Sequence, residues 1–369
     1  MSVVKVMVNK DVINMRQLMA MAFVSVMSSI LHRLPEASVS ISGVPASWLA
    51  PLAAAVPILI IAWVMNRLVR NRNDGDGLIN VFMNILGTRL GKLLSLLYAI
   101  WSILYAGLIL RSGAERFLST VYGGQSLSVF IVVGLVIAVI GATGRLTSLA
   151  SSAEIFVLFL AGMFLIVFGF SIYSINPENL LSISVLDAVP VMRASIPVIY
   201  TVAPFVYLYF LAGGVRKSEK ALGTTVRWLI SILIIVLLLL VATIGTFGVN
   251  LTGVIQSAFF SMARNISIFG TVERIESLVV VIWVAADFVM VASMIMVACE
   301  IVSVVFEASE RRALVIPCGI AVLLAACFCA PNAFALEIIF DSVVPVVTIA
   351  LIYAVMPLVL IIGWIRKKV

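Results

Sequence analysis

The sequence predicts an all-α membrane protein with ten transmembrane helices, arranged as a five-plus-five inverted repeat with discontinuous helices 1 and 6. Three observations carry that expectation. Hydrophobic residues make up 63% of the 369 and charged residues only 11%, whereas a soluble domain carries about 25% charged residues. Ten apolar runs follow one another along the chain, each close to the ~20 residues that a spanning helix needs. Two of those runs, half a chain length apart, are interrupted by polar or proline residues at mid-span. Interrupted backbone is tolerated inside a bilayer only where it lines a cavity or is buried in protein. Matching interruptions in two halves point to a solute site near the membrane midplane.

The ten runs fall near 13–34, 48–69, 93–118, 127–143, 154–175, 195–212, 226–247, 277–305, 314–330 and 338–364. No polar stretch between them is long enough to fold separately, so residues 1–369 read as a single polytopic domain. The longest polar connections are 66–92, 176–194 and 248–276. The last mixes Phe259, Phe260 and Phe269 with Arg264 and Asn265, and reads as a partly helical outer hairpin. A split after about residue 190 leaves five helices on either side, although the halves share no residue-level similarity.

The formal charge of +7 is sorted by loop. With the N-terminus inside, eighteen of the 24 basic residues fall on cytoplasmic segments. Arg33, Arg111, Arg116, Arg193, Arg264 and Arg274 are left at or near the outer face. That bias places both termini of a multi-pass membrane protein in the cytoplasm. No loop holds a long basic stripe with interleaved aromatics, so nucleic-acid binding is not expected. The first run lacks the pattern of a cleavable signal peptide.

Ser28 and Ser29, followed by Ile30, interrupt the first run. Hydroxyls and a loosened backbone there would favour a carboxylate ligand; serines also simply let two helices pack closely. In the sixth run Ala203, Pro204 and Phe205 follow Pro197 and Thr201. Pro204 has no N–H to give the helix ladder, and the bland reading is a proline kink. Asp287 is the sharpest single residue. Nine residues beyond Leu278, at ~1.5 Å each, place it ~14 Å deep, about half of a ~30 Å hydrocarbon core. A carboxylate at that depth faces the bundle interior. It recognises an ammonium group, binds a proton or cation, or acts as protonated structural glue. Trp283, Asp287, Met290 and Met294 share one helical face. Tyr98, Ser102 and Tyr105 line a face of the third run, and Arg111 and Glu115 are spaced to pair with each other. His32 is the only histidine, and the four cysteines sit in apolar runs without a carboxylate cluster. With no phosphate loop and no nucleophile–base pair, neither an enzyme nor a metal site or cofactor is expected.

Several stretches, in order, resemble one family, the B-subunit permeases of spore germinant receptors. They are Gln17-Leu18, Leu34-Pro35-Glu36, Trp48-Leu49-Ala50, Ile85-Leu86-Gly87 with Leu90-Gly91-Lys92, Leu97-Tyr98, Leu110-Arg111 and Glu115-Arg116-Phe117. Pro204-Phe205, the stretch from Glu273 to Leu278, and Trp283 complete the set. The family is similar to the amino acid–polyamine–organocation transporters, which implies the inverted-repeat fold. It also implies sensing of a small germinant, commonly an amino acid, beside A- and C-type receptor subunits in the lipid bilayer of the cell membrane or a spore inner membrane. Two departures fall in the expected pocket. Ser28-Ser29 stand where the family often has glycines, and Asp287 and Met290 stand where it often has a basic residue. The expected function is a germination receptor subunit that binds its germinant between helices 1, 3, 6 and 8. The alternative is a proton- or cation-coupled amino acid permease, and a water or ion channel is a third reading.

Overall fold

The computed structural model describes residues 11–73, 75–120, 126–265, 276–308 and 310–368. Among these the chain is helical throughout, and its one extended contact is an isolated parallel bridge between Ile13 and Val215. The helices are α1 Met15–Ser42, α2 Ala50–Arg70, α3 Leu78–Leu86, α4 Thr88–Thr120, α5 Leu127–Thr143, α6 Leu146–Ser171, α7 Glu178–Leu181 and α8 Ala188–Val202. They continue with α9 Ala221–Thr252, α10 Ala258–Arg264, α11 Glu276–Val305, α12 Val315–Phe328, α13 Ala333–Ile338, α14 Val344–Ile349 and α15 Met356–Ile365. Nine helical stretches among the described residues are long and apolar enough to cross a membrane, and α5 adds a tenth, shorter apolar helix. The last span, Ala333–Ile365, joins α13, α14 and α15 through two π-helical stretches.

One expectation is corrected in helix 1. The interruption at Ser28-Ser29 is absent: α1 is α-helical from Met15 to Ser42. A serine keeps its backbone N–H, so two in succession leave the hydrogen-bond ladder complete, whereas a proline removes a rung. The helix also runs eight residues past the expected end at 34, with Pro35 inside it, and stops where Gly43 turns left-handed at φ 66°. The sixth run behaves as its prolines predict. α8 ends at Val202, and the chain continues as a 3-10 helix over Ala203–Gly214. Twelve residues are long for that geometry, which is common only in runs of three or four.

The connection 66–92 contains a helix that its polar ends conceal. Leu78, Ile79, Val81, Phe82 and Ile85 form the buried stripe of α3, at helical spacing. α3 packs against α4, the 3-10 stretch and α15. α6 starts at Leu146 rather than 154, because Asp11 accepts from the backbone N–H groups of Leu146 and Thr147, the latter at 3.0 Å. In the outer segment 248–276, Ala258–Arg264 is helical, while 266–275, including Arg274, lie outside the described residues.

α1 lies at the centre. Of its most apolar stretch 89% is buried, against 28% for the span containing α6 and 33% for that containing α12. Around it stand α8, α9, α11, α6 and the 3-10 stretch, while α4 packs along α11. Lipid-facing surface is left to the outer helices, as expected where the solvent is hydrocarbon. The C-terminal end of the 3-10 stretch is held by two other chain segments. Ile13 donates to the Gly214 carbonyl at 2.8 Å and accepts from Arg216 N–H at 2.9 Å. Arg72 donates to the carbonyls of Ala212 (2.9 Å) and Val215 (2.6 Å).

Helix contact α3–α4 depends on Gly91, where an added Cβ would sit 2.6 Å from the Met83 backbone. Gly91→Ala is expected to lower stability by about 1–3 kcal/mol, the cost of overpacking. Gly169→Ala, where nothing lies within 4 Å, is expected to be neutral or stabilising by up to ~1 kcal/mol. Thermal unfolding of the purified variants in detergent distinguishes the two; equal losses would contradict the close approach.

Candidate functional site

The candidate site forms where α1, α4 and α11 converge, and its organising group is a side chain that charge sorting had placed at the outer face. Arg116 is 5% exposed. Its Nη2 lies 2.5 Å from Asp287 Oδ2, and its Nη1 donates to Ser28 Oγ at 2.9 Å. The guanidinium also lies 5.2 Å from the Trp283 ring centroid, within cation–π range. A carboxylate eleven residues into α11, about 16 Å from its start at 1.5 Å per residue, thus has its counter-charge.

Two local features let the pair form. Gly113 lies one turn before Arg116 on α4, and a Cβ there would stand 2.7 Å from Asp287 Oδ2. The glycine is the gap through which the carboxylate reaches the guanidinium. The unbroken α1 supplies Ser28 as a fixed acceptor for the other guanidinium nitrogen. Beside the pair, Trp283 packs edge-on to His32 (5.9 Å) and against Phe260 (5.3 Å). His32 Nδ1 is hydrogen-bonded to Ser257 Oγ, in the turn before α10.

Two polar atoms here are buried without a partner among the described residues: Asp287 Oδ1, an acceptor, and the Trp283 indole N–H, a donor. Buried polar groups are normally hydrogen-bonded, so each such exception needs an explanation. The site therefore offers one unused acceptor beside a carboxylate and one unused donor beside a guanidinium.

The other sequence-derived residues are distributed over two further levels. Tyr105 faces Ser29 and stacks with Trp101 (6.3 Å). Ile30 is fully buried within α1. Thr201, Ala203 and Pro204 mark the change from α8 to 3-10 geometry and are buried. Tyr98 lies in an aromatic cluster with Tyr207, Phe210 and Phe82. Its hydroxyl donates to the Leu351 carbonyl at 2.5 Å, within the second π-helical stretch. Ser102 Oγ donates to the Tyr98 carbonyl of its own helix at 2.8 Å. Phe205 packs edge-on to Tyr209. The structure thus gathers Ser28, Trp283 and Asp287 around Arg116, and leaves Tyr98, Ser102 and Phe205 engaged elsewhere. Arg111 and Glu115 pair at 3.1 Å, as their spacing predicts. Among the described residues no group of three His, Cys, Asp or Glu side chains could hold a metal.

With this geometry in place, residues 12–334 match the family described as spore germination protein. The chain belongs to that family. Among solved structures it is similar to a substrate-bound, outward-open Na+-coupled sialic acid symporter, at 12% identity and TM-score 0.66, over 93% of this chain and 79% of that one. It is also similar to MhsT, solved in complex with L-phenylalanine, at 12% identity and TM-score 0.61, over 95% of this chain and 97% of that one. No curated protein matches the sequence. The shared fold makes this spore germination permease a multi-pass, ten-helix inverted-repeat membrane protein.

Removing one partner of a buried pair strands the other charge, at a cost of about 3–5 kcal/mol. Arg116→Met and Asp287→Leu are each expected to lose stability in that range, and the double variant to recover most of it. A double-mutant cycle by thermal unfolding measures this; additive losses would show that the two charges do not interact.

Proposed function

We propose that this protein is the membrane subunit of a spore germinant receptor, and that it binds a small amino-acid-like germinant at Arg116 and Asp287. The observation that carries the reading is the buried pair with an unused acceptor on Asp287 and an unused donor on Trp283. A zwitterionic amino acid brings one carboxylate and one ammonium on adjacent atoms. Its carboxylate can take over the Arg116 guanidinium and the Ser28 hydroxyl, while its ammonium takes Asp287. The ligand thereby replaces an internal ion pair with two external ones, so neither protein charge is left uncompensated in a dry interior. Such an exchange separates α4 from α11 and gives the ligand different affinities for two states of the bundle, which is what a signal requires. Ser29, Tyr105, Thr201, Ala203 and Pro204 form the adjoining wall in this reading, with the 3-10 stretch as the element that transmits the shift. Partner subunits of A and C type read it out, and the charge bias of the loops supports cytoplasmic termini.

A second reading is a proton- or cation-coupled amino acid permease with Asp287 as the coupling group. The likeness to a Na+-coupled symporter fold favours it. Concentrative uptake by the protein alone in proteoliposomes would select this reading over the receptor.

Thermal shift of the purified protein against an amino acid panel tests the site. Zwitterions are expected to stabilise it, and the corresponding N-acetyl acids or methyl esters, which lack one charge, to do so at least about tenfold more weakly, the equivalent of ~1.4 kcal/mol. Asp287→Asn is expected to abolish the shift. A ligand bound equally well with either charge blocked, or by Asp287→Asn, would refute the two-charge site.

A further inference from the structure

A cavity of about 820 Å³ lies away from the Arg116–Asp287 pair, between the C-terminus of α2, the end of the 3-10 stretch, the start of α9 and α15. Five cations line it, Arg67, Arg70, Arg72, Arg216 and Lys217, against the single acid Glu219. Arg72 is engaged by the carbonyls of Val69, Ala212 and Val215. Arg67, Arg70 and Arg216 have no ion-pair partner among the described residues. The N-terminus of the 32-residue α9 opens onto the same space, adding oriented N–H groups that favour an anion.

The walls indicate which anion. Trp63 and Trp364 contact each other edge-on at 5.9 Å and are 43% and 44% exposed on the outside of the bundle. Tryptophans so placed are interfacial residues, apolar in body and polar at one edge. Met15, Leu18, Val69 and Leu222 supply an apolar lining beside the arginines. Asn66, 8% exposed, also lines the cavity. Its Nδ2 donates to the Ala62 carbonyl at 2.9 Å and to Tyr209 Oη at 2.9 Å. A carbonyl only accepts, so the amide orientation is fixed and Oδ1 is left as an acceptor without a donor.

We infer that this cavity is a binding site for the headgroup of an anionic phospholipid, with Arg67, Arg70 and Arg216 around the phosphate. A soluble phosphate compound shares the anion but has no use for the two outward-facing indoles or the apolar wall. The acyl chains leave past Trp63 and Trp364 into the bilayer. Because Tyr209 and Ala212 belong both to this cavity and to the 3-10 stretch, and Val215 follows directly after it, lipid occupancy ties α2, α9 and α15 to that stretch.

Native mass spectrometry of the full chain, released from mixed phosphatidylglycerol and phosphatidylcholine micelles, tests the inference. The wild type is expected to retain phosphatidylglycerol selectively. Arg70→Gln is expected to weaken it about fivefold, and the triple variant Arg67→Gln/Arg70→Gln/Arg216→Gln on the order of a hundredfold, at about one such step per basic residue. Arg312→Gln, a cytoplasmic charge outside the cavity, is expected to leave retention unchanged. Size-exclusion elution checks folding, and the single variant at exposed Arg70 carries the test if the triple variant does not fold. Retention of phosphatidylglycerol by the correctly folded variants would overturn the site, as would equal loss in Arg312→Gln. Displacement of the lipid by inorganic phosphate at equal concentration would also overturn it, and would identify a soluble-anion pocket instead.

Discussion

The arrangement of the central helices depends on one requirement: a carboxylate at mid-span has to be neutralised inside a largely apolar bundle. Asp287 meets it through Arg116, at 2.5 Å from another helix. That contact fixes the register of α4 against α11, demands a glycine at 113 to admit the carboxylate, and draws Ser28 of the central α1 into the same network. Three helices are thereby aligned at one level by polar chemistry. The surrounding apolar packing specifies little on its own, because lipid tails compete for the same greasy surface.

The same interaction is central to the proposed function. In the proposed reading the pair holds α4 against α11 until a small dipolar solute takes its place between the two charges. The unused oxygen of Asp287 and the unused N–H of Trp283 are the remainder of that arrangement. Ser102, on its own helix, and Tyr98, on the Leu351 carbonyl, are engaged by backbone instead. Those positions read as structural joints between helices.

Much of the fold was legible in the residues because bilayer thickness and hydropathy fix length and number together. The change in helix 6 was legible too, since Pro204 lacks an N–H whatever its surroundings. The supposed break in helix 1 was not, because serine disfavours a helix only by offering a competing hydrogen bond, and here Arg116 uses the Ser28 hydroxyl. Arg116 itself was misplaced because loop-wise charge sorting reads a cation near a helix end as interfacial. Its partner is 171 residues away in sequence, and the signal that could have found it is the need of Asp287 for a counter-charge. α3 escaped notice because nine residues are too few to resemble a span, although Leu78, Ile79, Phe82 and Ile85 carry its stripe.

The long 3-10 stretch has a mechanical corollary. At ~2.0 Å per residue its twelve residues reach about 24 Å, whereas the same residues wound at 1.5 Å would reach only about 18 Å. Rewinding that segment would retract its lower end by roughly 6 Å, one full helical pitch. The strand-like clasp between Ile13 and Val215 is fastened to that end, so a change of pitch in mid-membrane would tug directly on the amino-terminal strap.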